Sequence, residues 1–218
     1  VYEGGPGYSL PGPGKSPPEE DEDIGKSLAL GTATLDTSMQ FLASGAAPVA
    51  YYDYKTGPYW ASHNNPKDRV PYPTWIALEM KNNLCPGDLL VVDAVDVRRS
   101  DIPDKEVIKT TNDGKGAKAK VTGRKGVPTT VCYAFRDGDK FSVMLLNRSM
   151  TEPRKVALEL PPGVSGASKK HVLTHPDPKA HNRFEQNVKA QASDGPEFKS
   201  GMEVEIPPGS IIILTKAS

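Results

Sequence analysis

Glu3 follows a Val-Tyr pair suited to a strand and runs directly into Gly4-Gly5. A carboxylate held at a strand end can serve as a nucleophile or a general base; beside a turn it is otherwise an ordinary solvated charge. The local motif allows both. A second group lies in the stretch WASHNN, where Trp60, His63 and Asn64 fall within five residues. Sugars present flat C–H faces that stack on aromatic rings and hydroxyls that seek imidazole or amide partners, although a loop Trp is equally often a buried anchor. Tyr2, Tyr52, Asp53 and Tyr54 could line the same face, but strand alternation sends only some of them inward.

Other clusters carry less chemistry. His175, Asp177 and His181 in HPDPKAH offer metal donors, but their spacing matches no standard zinc pattern and proline interrupts any shared helix. A solvated loop between strands is the reading adopted, and no metal is expected. The acidic run Glu19 to Asp23 lacks the glycine and the spaced ligands of a calcium loop, and is expected to cap the helix that follows. Cys85 and Cys132 could be free buried thiols or one disulfide. Asn147-Arg148-Ser149 matches a glycosylation sequon, which matters only in a secretory context.

The elements that would position these groups change character near residue 84. Residues 1–3 read as the end of a strand, with a Gly/Pro loop after it. A helix over about 24–43 follows, with Leu28, Thr32, Leu35, Met39 and Leu42 forming one stripe and Ser44-Gly45 ending it. PVAYYDY at 48–54 fits a buried parallel strand, and PTWIALEMKNN reads as a second helix. Two successive βα units imply a parallel sheet with helices on its face. From residue 88 the grammar is all-β. DLLVVDAVDV is a strand candidate, RRSDIPDKE and TTNDGKGAKAK read as polar connections, and VPTTVCYAF-RDGD-KFSVMLLN is a hairpin turning at Asp137-Gly138. KVALEL, KKHVLT, MEVEI and SIIILT supply further strands, a number that suits an antiparallel sandwich.

Lys+Arg and Asp+Glu are both 27, so no net field draws the chain to nucleic acid or an anionic membrane, and no apolar run is long enough to span a bilayer. The chain starts without Met or an apolar signal segment, as though an upstream piece had been removed or belonged to another polypeptide.

In order, VYEGG at a strand end, a long loop and helix, PVAYYDY, WASH, the helix at PTWIALEMKNN and a sandwich containing FSVMLLNRS and VEIPPGSIIILT resemble the C-terminal part of a clan-A retaining glycoside hydrolase. The resemblance implies a fold of α/β plus all-β type. Residues 1–83 would form strands seven and eight of a (β/α)8 barrel with their helices, and residues 84–218 an antiparallel β-sandwich. It implies Glu3 as the catalytic nucleophile at the mouth of the barrel, where side chains are held rigidly yet face the opening. Tyr2, Tyr52, Tyr54, Trp60, His63 and Asn64 would then be substrate-binding residues, with Trp60 as the floor of the cleaved sugar's subsite.

Retaining hydrolysis needs a second carboxylate about 5–5.5 Å from the nucleophile, and no cofactor. This clan carries that acid/base group at the end of strand four, which has no counterpart in this sequence. The expectation is therefore a partner chain carrying barrel strands one to six and the acid/base carboxylate, with a carbohydrate substrate and a secreted or periplasmic location. The competing expectation is a non-catalytic carbohydrate-binding or assembly module built on the sandwich.

Overall fold

A computed structural model of the chain describes residues 23–46, 62–64, 69–110 and 116–216. The barrel strands expected at 1–3 and 48–54 lie outside the described residues, as do Glu3, Tyr2, Tyr52, Tyr54 and Trp60. The rest is mixed: two helices and mostly antiparallel sheet.

Helix α1 (Leu28–Ala43) starts four residues later than its sequence suggests. Ser27 is the N-cap, its Oγ accepting from the Leu30 amide at 3.3 Å, and the first turn holds no acid. The described end of the acidic run does not cap this helix. Its described member, Asp23, turns instead to Arg183 at 3.0 Å. The expected stripe is the buried face: Leu28, Leu35 and Met39 are fully buried, Thr32 nearly so, and Leu42 packs at the edge. Helix α2 (Pro73–Leu84) has proline in its first turn, where the missing N–H costs nothing. Gly31 of α1 sits against Pro73, whose carbonyl oxygen lies 2.7 Å from where a Cβ would be, so only glycine allows this approach.

Both helices lie on one face of a six-stranded antiparallel sheet in the order β1-β6-β7-β12-β9-β10. The strands are β1 (Asp88–Leu90), β6 (Thr130–Asp137), β7 (Lys140–Asn147), β9 (Ser168–Leu173), β10 (Ala190–Asp194) and β12 (Ile211–Lys216). Its other face is covered by the pair β8 (Arg154–Leu158) and β11 (Met202–Ile206). The alternation of β7 and β12 shows why the sheet needs covers on both sides. Met144, Leu146, Ile211 and Ile213 join the helices in one core. Phe141, Val143, Leu145, Ile212 and Leu214 join Met202, Val204 and Ile206 in the other. Continuous apolar runs such as FSVMLL and IIIL suit strands buried on both faces.

The hairpin forms as expected, one residue along. Asp137 pairs with Lys140, so Gly138 and Asp139 are the central residues, and Gly138 supplies the positive φ of 58° that the strand twist demands. The expected strand at 88–97 stops at Leu90. Asp96 takes a positive φ of 52°, which breaks an extended run, and Val91 and Val95 stand exposed.

The stretches read as polar connections are themselves strands: β2 (Arg99–Ile102) pairs with β5 (Arg124–Pro128), and β3 (Lys105–Thr110) with β4 (Gly116–Val121). Their described side chains are largely exposed, so the ribbons rest on backbone pairing and on polar cross-strand contacts such as Arg99 to the Gly126 carbonyl at 2.8 Å and Lys118 to Glu106 at 3.1 Å. Among the described residues, limited trypsin digestion is expected to cut first at Lys118, Lys120, Arg124 or Lys125 and leave the six-stranded sheet intact, because exposed segments with few tertiary contacts open most cheaply. Mass mapping of the first fragments checks this.

The cysteines are both free. Cys85 lies in the core under the helices and Cys132 packs against the opposite one, so the sheet separates them. Burial pushes the Cys85 thiol up to about 11 and the Cys132 thiol up to about 12, which keeps both protonated and inert.

Candidate functional site

Of the six substrate-binding residues and one catalytic residue expected from sequence, His63 and Asn64 are described. They sit in a short extended stretch that pairs with the segment leading into α2: the Asn64 amide donates to the Val70 carbonyl at 2.9 Å and the Tyr72 amide to the Ser62 carbonyl at 2.8 Å. This pairing fixes the approach to α2 through Tyr72, its N-cap. Asn64 is buried, and its Oδ1 accepts from the Val70 amide at 2.8 Å.

His63 is half-buried. Its Nδ1 lies 2.8 Å from Ser62 Oγ, and its ring rests 5.5 Å from that of Trp75, tilted by 48°. Desolvation lowers its pKa below the usual 6.5, with Arg69 adding to the effect and Glu79 opposing it. The ring is therefore neutral at pH 7, suited to trading hydrogen bonds with hydroxyls rather than to holding an anion.

A clamp that the sequence did not signal joins this stretch to the sandwich. Asn182 is fully buried; its Nδ2 donates to the carbonyls of Pro71 at 2.9 Å and Val188 at 2.7 Å, and its Oδ1 accepts from the Val188 amide at 2.7 Å. Pro71 is the bridge partner of His63. The same loop satisfies the exposed end of α1, since the Leu28 and Ala29 amides donate to the carbonyls of Ala180 and Pro178, each at 2.9 Å. HPDPKAH is thus a loop, as read from sequence, and its backbone serves as a helix cap. Among the described residues no group of three or more His, Cys, Asp or Glu could hold a metal ion.

Lys26 is nearly buried with its ammonium 5.4 Å from the Tyr72 ring, tying the turn before α1 to the start of α2. The helix starts, the 62–64 stretch and the 174–188 loop therefore form one packed corner. No helix among the described residues is long and apolar enough to cross a membrane.

The architecture is that of a two-layer β-sandwich with a helix pair docked on its larger sheet. Solved glycoside hydrolases share it. The chain is similar to a thermostable GH51 alpha-L-arabinofuranosidase from Thermotoga petrophila RKU-1, with a TM-score of 0.70 and 17% identity over 100% of this chain and 41% of that one. It is similar to an alpha-L-arabinofuranosidase from Thermotoga maritima, with a TM-score of 0.67 and 17% identity over 87% of this chain and 38% of the other. The GH51 arabinofuranosidase from Xanthomonas axonopodis pv. citri aligns with a TM-score of 0.62 and 18% identity over 99% of this chain and 40% of its own length. The chain thus spans about two fifths of each of these enzymes. No protein-family model and no curated protein sequence matches it. At these identities the likeness establishes a fold shared with glycosidases.

Proposed function

We propose that this chain is the nucleophile-bearing part of a retaining glycoside hydrolase, completed by a second chain that carries the remaining barrel strands and the acid/base carboxylate. The observation that supports the reading is a fold shared over 87–100% of the chain with solved arabinofuranosidases. In this reading Glu3 attacks the anomeric carbon and the bond to the leaving oxygen breaks as the partner's acid protonates it. Water activated by the same group, now a base, then releases the sugar and frees Glu3. The binding face is Trp60 with Tyr2, Tyr52 and Tyr54, and with His63 and Asn64 in the corner described above. The neighbours' names make an α-L-arabinofuranoside the substrate class to test first. Such a substrate fits a secreted or periplasmic enzyme.

The test is covalent. Incubation of the assembled protein with a fluorosugar inactivator is expected to add one glycosyl unit, and peptide mapping to place it on Glu3. Sugar binding with neither label nor turnover would overturn the enzyme and leave the carbohydrate-binding module.

A further inference from the structure

The corner that holds His63 opens on its sandwich side into a cleft of about 640 Å³ between the turn before α1 and the 174–188 loop, lined among others by Asp23, His175, Asp177, His181 and Asn187. Both imidazoles are oriented from behind. The Asp177 amide donates to His175 Nδ1 at 3.1 Å and the Arg183 amide to His181 Nδ1 at 3.3 Å. His175 Nδ1 also lies 3.1 Å from the Asp177 carbonyl, and His181 Nε2 lies 3.7 Å from Asp23 Oδ2. The cleft thus offers two imidazoles, two carboxylates, the Lys179 ammonium and a carboxamide, a mixture of donors and acceptors without a dominant charge.

Phe184, 70% exposed, packs on His181 of the cleft lining. Its ring is fixed by the Arg183 guanidinium, 4.9 Å from the centroid, and by the edge of His181 at 6.2 Å. Arg183 is in turn held by Asp23 at 3.0 Å. A lone exposed aromatic needs no explanation. One that is braced by two neighbours at the rim of a polar cleft is a preorganised platform, because its orientation is set before any ligand arrives.

We propose that this cleft is a second carbohydrate-contact site, with Phe184 stacking on the C–H face of a sugar ring and the imidazoles, carboxylates and Asn187 taking its hydroxyls. A hydroxyl both donates and accepts, so it uses such a mixture fully, with carboxylates and the Lys179 ammonium both within the lining. Asn182 and Pro71 connect the cleft directly to the stretch bearing His63. Its role, resting on the glycosidase reading, is to hold units of an oligosaccharide beyond the one cleaved.

The test compares Phe184→Ala with the parent in the assembled protein. The variant is expected to raise KM for arabinotriose and longer oligomers by roughly fivefold, on the scale of a single aromatic contact, with kcat unchanged. KM for 4-nitrophenyl arabinofuranoside, which ends at the cleaved unit, should not move, and Phe184→Trp should restore the parent value. Equal effects on both substrates, or none on the oligomers, would overturn the proposal. A chemical-shift titration with arabinotriose reads the same site without turnover. Shifts at His181 and Asn187 that vanish in Phe184→Ala support it even if Glu3 takes no label, and their absence at millimolar sugar in the parent refutes it.

Discussion

Replacing Asp36 by alanine is expected to destabilise the chain by about 3 kcal/mol or more, at the scale of breaking a largely buried ion pair. Asp36 lies in the middle of α1, with its side chain 12% exposed. Arg148 grips it with two bonds, Nε to Oδ2 at 2.7 Å and Nη2 to Oδ1 at 2.9 Å, while its Nη1 reaches the Pro128 carbonyl at 3.1 Å. The Tyr133 hydroxyl donates to Oδ1 at 3.0 Å, and burial, with the Asp36 charge, raises its pKa so that it stays a donor. Alanine would leave a guanidinium with 22% of its side chain exposed, without its counter-ion, and a phenol without its acceptor. Desolvation is already spent on both charges in the parent, so only the compensation is lost.

The double variant Asp36→Leu/Arg148→Met removes both charges and should recover most of the stability, since apolar replacements of a buried pair are often near neutral. Urea unfolding of the parent, both singles and the double gives the coupling directly. A loss below about 1 kcal/mol for Asp36→Ala would place the pair with ordinary surface bridges. The consequence is architectural: this cluster is the ionic tie between the middle of α1 and the sandwich, so the variant should loosen helix docking before it unfolds the sheet.

How far this was legible in sequence depends on whether a residue's partner is local. The α1 stripe was readable because a 3.6-residue period reports a buried face without naming what covers it. The hairpin was readable because glycine at a two-residue turn has few alternatives. Strands β2 to β5 were missed because they hold few large apolar residues: RRSDI has one and GAKAKV one, so both look like solvated loop, and only cross-strand pairing reveals them. The acidic run misled for the opposite reason. Carboxylates before a helix do suit its dipole, but Ser27 closes the helix start at shorter range, and Asp23 finds Arg183, 160 positions away in the chain.

The site shows the same division. His63 and Asn64 could be singled out by type, but Asn182, which joins their stretch to the sandwich, carried no signal, because an asparagine in a polar loop announces neither burial nor partners. Its effect depends on Pro71, 111 residues earlier. Long-range polar ties of this kind, Asp36–Arg148 among them, are set by tertiary geometry alone.

The sequon offers the sharpest case of a local motif overruled by packing. Asn147 is fully buried at the end of β7. Its Nδ2 lies 2.8 Å from the Glu152 carbonyl and 3.0 Å from each of the Ile206 and Pro207 carbonyls, while its Oδ1 accepts from the Ser149 amide at 2.9 Å. Two protons are shared among three acceptors, tying the end of β7 to the end of β11. Asn147→Ala leaves those groups unmatched in the interior and is expected to cost about 2–4 kcal/mol, at roughly 1 kcal/mol or more for each orphaned group. Asn147→Asp should be worse than alanine, because it sets an ionised carboxylate against three carbonyl oxygens. The order Asn > Ala > Asp in urea midpoints at neutral pH checks the assignment, and Asp equal to Asn would refute it. A glycan would bond to the same Nδ2, replacing one of its two protons and demanding space that the core does not have. Folded protein from a glycosylating host is therefore expected to carry no sugar at Asn147, and a soluble, cooperatively unfolding glycoform modified there would contradict this packing.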